Sequence, residues 1–185
     1  MKGSLFISFL IFLVGCNNPK ELSTSEKEEY LALGDSISNR AQMVLLSNVG
    51  KQIQKNGTVG AVDFCSEKAI FLTDSVSNEF STKIQRLTDK NRNPQNAIKS
   101  ETDKKAWEEF RNNPKNKHLV LQENSSVHYY RSIPIGMPTC LMCHGNKQTD
   151  ISPETMEIIH RKYPQDKATD YKMGNLRGMW KIQLN

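Results

Sequence analysis

Residues Pro138-Thr139-Cys140-Leu141-Met142-Cys143-His144-Gly145 set a histidine directly after the second of two closely spaced thiols. Cys-x-x-Cys-His is the attachment pattern of a c-type haem, in which the thiols add across the porphyrin vinyl groups and the histidine binds iron. Cys140 and Cys143 are then the thioether residues, and His144 the proximal ligand. The chain holds four Cys and four His in 185 residues, and random placement yields this pattern about 0.002 times. Two other chemistries use paired cysteines. A dithiol redox motif opens a helix within a βαβ unit, whereas this one follows a proline-flanked segment, Ile133 to Pro138, with no βαβ pattern around it. A structural zinc site needs a second close pair of ligands, and His118, His128 and His160 stand alone.

Covalent haem attachment in bacteria takes place outside the cytoplasm, and the first residues agree with that compartment. Lys2 precedes an apolar run from Leu5 to Val14, too short to span a bilayer, which takes about 20 residues. The run ends in Leu13-Val14-Gly15-Cys16, which resembles a bacterial lipobox. Residues 1–15 read as a lipoprotein signal peptide, Cys16 as the lipidated residue and 16–24 as a tether, with one domain over 25–185. The expected location is the cell envelope, facing the periplasm. Asn17 lacks the aspartate signal for inner-membrane retention, which favours the outer membrane. With Cys16, Cys140 and Cys143 assigned, Cys65 is left over, a lone thiol in an oxidising compartment.

The elements that must position these groups are legible from periodicity. Ser25-x-x-Glu28 fits a capping box, and Leu33, Ile37, Ala41, Val44, Leu45 and Ile53 follow helical spacing up to a stop at Asn56-Gly57. Gly34, inside that helix, marks a point of close packing. A second helix from Thr58 carries the stripe Val62, Cys65, Ala69, Leu72 and Val76. By spacing alone Cys65 reads as a small packed hydrophobe. Beyond it come a strand over 81–88, a turn-rich loop over 91–96 and a helix over 102–110 with Trp107 and Phe110 on one side. An antiparallel pair over 119–122 and 127–133 follows, then a helix opened by Ser152 and Pro153 with Ile151 packing on Met156. Trp180, Ile182 and Leu184 alternate in a final strand. After loss of the signal peptide the chain has 24 basic and 20 acidic side chains, a net charge of +4. That excess is mild and dispersed, which excludes a nucleic-acid-binding surface.

Taken in order, Ala61-Val62-Asp63-Phe64-Cys65, Arg92-Asn93-Pro94-Gln95-Asn96-Ala97, Tyr129-Tyr130-Arg131-Ser132-Ile133, the haem motif, Tyr163-Pro164-Gln165-Asp166-Lys167-Ala168 and Gly174-Asn175-Leu176-Arg177-Gly178 resemble a family of c-type haem domains with a PAS-like fold. Members occur as small exported haem proteins and as extracytoplasmic sensor halves of bacterial signalling proteins. The resemblance implies an α+β domain: a PAS-like antiparallel sheet flanked by helices, with long N-terminal helices and one covalently bound haem. It also implies that Cys65 is the distal iron ligand. Arg131, Arg177 and Arg92 lie in the family-like stretches and are expected on the haem propionates, with Tyr129 and Tyr130 lining the pocket or the core.

A histidine/cysteine pair gives a low-potential iron, because thiolate pushes electron density onto the metal. The rival sixth ligands are Met137, Met142, Met156, Met173, Met179, His118, His128 and His160. The expected function is a lipid-anchored redox or gas sensor that passes its signal to a separate partner protein and takes a small diatomic ligand when the thiolate leaves. The alternative is a membrane-surface electron-transfer cytochrome with a methionine ligand. No acid/base pair suited to catalysis stands out, so no enzyme is expected.

Overall fold

Gly57 turns the first helical stretch back on itself. The computed structural model describes residues 21–185, so the expected signal peptide (1–15), Cys16 and most of the expected tether lie outside the described residues. Helix α1 (Thr24–Glu79) is helical throughout except at Gly57, whose φ of 66° and ψ of −173° break it into arms over 24–56 and 58–79. A left-handed φ suits glycine, which has no Cβ to clash. The arms return antiparallel: Arg40 on the first pairs with Glu79 on the second at 3.1 Å. The expected break at Asn56-Gly57 is therefore present, as a hairpin. The cap lies two residues earlier than the Ser25 frame. Ser23 Oγ accepts from Glu26 N at 3.2 Å, and Glu26 Oε2 accepts from Ser23 N at 2.7 Å. Overlapping Ser-x-x-Glu frames start at Ser23 and Ser25, and the earlier one adds helix.

The remaining elements are β1 (Ile84–Leu87), a 3-10 turn (Pro94–Asn96), α2 (Glu101–Asn112), β2 (His118–Glu123), β3 (Ser126–Pro134), α3 (Pro138–His144), α4 (Pro153–Lys162) and β4 (Leu176–Gln183). The strands form one sheet in the order β1-β4-β3-β2, antiparallel throughout. Helices flank this sheet in the PAS-like α+β arrangement that the resemblance implies. Asn124, at φ 58°, turns β2 into β3. Ser152 caps α4 and Pro153 occupies its first turn, as expected, and Met156 packs in the cluster that holds Ile151.

Strand alternation assigns the two faces. Tyr129, Trp180, Ile182 and Ile84 pack against Ile37, Ala41 and Val76 of α1. Tyr130, Met179 and Leu87 pack against Ala106, Trp107 and Phe110 of α2. Gly34 meets Tyr129: a Cβ there would lie 2.1 Å from the ring Cγ and 2.7 Å from Tyr129 Cβ. The residue types at Gly34 and Tyr129 thus fix how closely α1 approaches the sheet. On the α2 side, Lys181 Nζ pairs with Asp103 at 2.7 Å, and the Tyr130 hydroxyl donates to the same carboxylate at 2.8 Å. Burial pushes the Asp103 carboxyl up, but the bonds from Lys181 and Tyr130 outweigh it and hold it below the ordinary value.

Gly34→Ala is expected to cost about 1–3 kcal/mol, because the whole Tyr129 side chain must move in a packed core. Gly50→Ala, on the same arm with open space around the added methyl, is expected to gain about 0.5–1 kcal/mol. Denaturant unfolding measures both. A depressed carboxyl contributes stability above its unfolded pKa and loses it as pH falls through the folded one. Asp103→Asn should therefore cost about 1–3 kcal/mol at neutral pH and flatten the acid limb of the stability curve below about pH 4.

Candidate functional site

The Cys-x-x-Cys-His motif forms α3 itself. Pro138 occupies its first turn and His144 ends it. Because β3 runs on to Pro134, only Ile135 to Met137 separate the strand from the helix that carries the motif, a shorter link than the proline-flanked segment suggests. The sheet nonetheless has no parallel βαβ unit. Gly145 follows because nothing larger fits: a Cβ would lie 2.5 Å from Asp150 Oδ2 and 2.7 Å from the Leu141 carbonyl.

Residues 166–171 grip the end of α3. Tyr171 N donates to the His144 carbonyl at 3.0 Å, and Asp170 N to that of Gly145 at 2.8 Å. His144 Nδ1 lies 2.8 Å from the Ala168 carbonyl. A carbonyl only accepts, so Nδ1 carries the proton and Nε2 keeps its lone pair, the tautomer a metal-binding histidine needs. Burial, reinforced by the Arg177, Arg92 and Arg86 guanidiniums, holds the imidazole pKa well below its ordinary value. The ring is neutral.

Arg92 braces this assembly. Its Nε and Nη2 donate to the Asp166 carboxylate at 3.1 and 3.2 Å, and Nη2 also donates to the carbonyls of Cys143 at 2.6 Å and Ala168 at 3.2 Å. The side chains of this ion pair are 11% and 4% exposed.

A cleft opens beside α3. It encloses about 1270 Å³ of space, part of it open to solvent, and is lined by both arms of α1, by β1 and by the start of β4. Leu45, Val49, Ile53, Val62 and Ala69 supply apolar walls, while Cys143, His144 and Cys65 bring the chemistry and Arg86, Arg92 and Arg177 the charge. Cys65 reaches the cleft from the second arm of α1. Burial raises its thiol pKa, and the nearby Arg86 and Arg92 oppose that. Burial also pushes the Cys143 thiol up to about 11, with Cys65 and Cys140 near enough to add to the shift. Cys140 packs instead against Ile135, Ala168 and Tyr171. None of these three cysteines is joined in a disulfide. Burial depresses the Arg177 guanidinium to about 10, and its Nε is buried without a partner.

Sequence position alone misplaces two residues. Arg131 and Tyr129 do not line the cleft. The Arg131 guanidinium donates to Asn39 Oδ1 at 2.6 Å and Ser38 Oγ at 3.2 Å, and the Tyr129 hydroxyl bonds to Asp35. Both tie the sheet to the first arm of α1. Arg86, unremarked in the sequence, takes a place in the cleft; its signal was alternation, since it shares a strand face with buried Ile84. None of the eight rival methionine and histidine ligands lines the cleft. Among the described residues no three His, Cys, Asp or Glu side chains converge to hold a bare metal ion.

A family model described as Tll0287-like matches residues 21–185. The chain belongs to the Tll0287-like family. A crystal structure of the cyanobacterial haem protein Tll0287 is similar over 84% of this chain and 94% of its own, with a TM-score of 0.66 and 22% identity. No curated protein matches. At that identity the likeness establishes the fold, and the chemistry rests on the residues of this chain. Those residues fit a haem. The site holds a neutral histidine with a free Nε2, a thiol on a separate wall, Cys143 beside both, apolar surface for a flat ring, and a guanidinium with an unpartnered N–H, while Cys140 packs just outside the cleft.

Arg92→Lys keeps the charge but cannot fork across Asp166 while reaching two carbonyls. It is expected to cost about 2–4 kcal/mol in unfolding and to speed amide hydrogen exchange at Tyr171, whose N–H reports the closure of 166–171 on α3.

Proposed function

We propose that this chain is a lipid-anchored, extracytoplasmic c-type haem protein that acts as a redox or gas sensor. In this reading Cys140 and Cys143 would form the thioethers, His144 and Cys65 would be the protein ligands to iron, and Cys16 would carry the lipid. One observation carries it: of all the candidate sixth ligands, Cys65 alone shares the cleft with His144. A family relationship to haem proteins supports the cofactor, and the attachment motif supports its covalent form.

When bound, such a group supplies one-electron chemistry at iron and, once an axial ligand leaves, a position for a diatomic molecule. The residues supply the rest. His144 is held neutral and aimed by the Ala168 carbonyl, so it stays. Cys65 is the ligand that moves: the Arg86 and Arg92 guanidiniums favour its thiolate, while burial favours the protonated thiol. A Cys65 thiolate released from such a group would take a proton from solvent at the open side of the cleft, because burial raises its pKa. The second arm of α1 carries Cys65 and ends in the core beside Val76, so a change at Sγ is felt by the helix that packs on the sheet. A partner protein reads that change. No turnover of substrate is part of this reading.

A methionine-ligated electron carrier would need one of the methionines at the cleft. Met179 is instead fully buried on the α2 face, and Met137, Met142 and Met173 are exposed.

Co-expressed with a haem-maturation system, the chain is expected to give a pigment that acidified acetone does not extract, with a low-spin ferric spectrum bearing a thiolate signature. Cys65→Ala should abolish that signature and raise the midpoint potential by on the order of 0.1 V, within the roughly 0.8 V that axial ligands span. A variant spectrum identical to the parent's would reduce Cys65 to packing.

A further inference from the structure

Three consecutive residues hold the strap 166–171 that aims His144. Arg92 takes the Asp166 carboxylate and the Ala168 carbonyl, the Asn91 carbonyl accepts from Lys167 N at 3.1 Å, and Lys90 Nζ donates to the Thr169 carbonyl at 2.7 Å. The strap has no helix or strand of its own, so bonds of this kind are what fix its backbone. It meets the His144 ring at two points. The Ala168 carbonyl accepts from Nδ1 at 2.8 Å. Further along, the Tyr171 ring stands edge-on to the imidazole, with centroids 6.3 Å apart and planes at 84°. Between these points Asp170 holds a left-handed φ of 62°, a conformation that costs a non-glycine residue energy and persists where its surroundings impose it.

We propose that Lys90 is a positioning residue for His144, a staple across the strained Asp170 that fixes the plane of the imidazole. Its ammonium is bonded to the residue before Asp170 and lies over the ring of the residue after it, 4.5 Å from the Tyr171 centroid. Both contacts use the charge. A charge-assisted bond to a carbonyl is about twice as strong as a neutral one, and a cation is attracted to the face of a phenol ring. Arg92 does not duplicate this. It grips Asp166 and Ala168, both before the strained residue, and the Tyr171 hydroxyl has no hydrogen-bond partner to hold the ring from its far end. The ring also has somewhere to go, because it borders a separate cavity with Trp107, Phe110 and Leu176. The Arg177 guanidinium lies over the same ring at 5.5 Å, but it reaches there from β4 and leaves Asp170 unspanned. Without Lys90 the strap relaxes at Asp170, the Tyr171 ring leaves the imidazole, and the Nδ1–H bond to Ala168 loosens. The consequence at iron rests on the haem reading above; the consequence for the strap does not.

The test compares Lys90→Met, which keeps the apolar stem and removes the ammonium, with Lys90→Arg, which keeps a cation and its donors. In the haem-loaded ferric protein, Lys90→Met is expected to broaden the low-spin electron paramagnetic resonance spectrum, whose g values follow the plane of the axial imidazole. It should also speed solvent exchange of the His144 ring N–H about tenfold. The Tyr171 amide should exchange faster by a similar factor while the Ala41 amide, in the main core, keeps its parent rate. Lys90→Arg should restore the parent behaviour. Equal acceleration at Ala41 and Tyr171 would show a general loss of stability and would overturn the positioning role. Parent-like g values and ring N–H exchange in Lys90→Met would overturn it as well, and so would a Lys90→Arg variant that behaves like Lys90→Met. A parent chain that carries no haem removes the haem reading alone: the Tyr171 and Ala41 amides, measured in that chain and in Lys90→Met, still decide whether Lys90 holds the strap.

Discussion

Everything at the site hangs on how α3 is held from behind. A helix of only two turns has little stability of its own, and α3 carries all three motif residues. What fixes it is a bracket outside the motif: the Arg92 fork, anchored on Asp166, reaches the Cys143 carbonyl on the helix and the Ala168 carbonyl on the strap. The strap then returns three bonds of its own, including the one that sets the His144 tautomer. Because this pair is buried, its removal leaves an uncompensated charge, so the bracket is closed or costly to open. The bracket therefore holds His144 rigid at the end of α3.

The thiol is held differently. His144 sits on a short helix clamped by loops, whereas Cys65 rides on a long arm that ends in the main core. The first arm is pinned to the sheet where Gly34 admits the Tyr129 ring, and the Arg131 and Tyr129 bonds to Ser38, Asn39 and Asp35 reinforce it. The second arm is joined to the first by Gly57 and by an ion pair between Arg40 and Glu79 that is largely exposed, worth little in water. The second arm also packs through Val76 beside Ile37 and Ala41 in the main core, and through Val62 against Ile158 and Ile159 of α4.

The sequence made the elements legible where local rules decide. Helical periodicity, the Gly57 stop, the Ser152-Pro153 start and the turn at Asn124 all act within a few residues, and each stands where those rules put it. The motif residues were legible because their spacing is itself the chemistry. What escaped was depth along the sheet. Alternation says that Tyr129 and Arg131 share a face with Trp180, but not that they lie under the first arm of α1, away from the cleft. The same rule, applied to Ile84-Gln85-Arg86-Leu87, put a guanidinium on an inward face, a signal that an anion belongs there. Asp166 and Tyr171 gave no such sign, because their roles arise from contacts across 74 residues to Arg92 and across the end of α3.

Charge compensation explains why the arginines differ in role despite equal standing in the sequence. A buried guanidinium must find an acceptor within the protein or take one from a ligand. Arg92 found Asp166 and two carbonyls, and it has become structural. Arg131, under the first arm of α1, is satisfied by a serine and an asparagine. Among the described residues Arg86 and Arg177 meet neither carboxylate nor carbonyl, and burial, reinforced by the Arg92 and Arg86 charges, depresses Arg177 to about 10. The unmet demand is thus concentrated on the two guanidiniums that face the cleft. An apolar cleft with uncompensated cations selects a ligand that is flat and hydrophobic in its body and anionic at its edge, which is the chemical description of a porphyrin with its carboxylates.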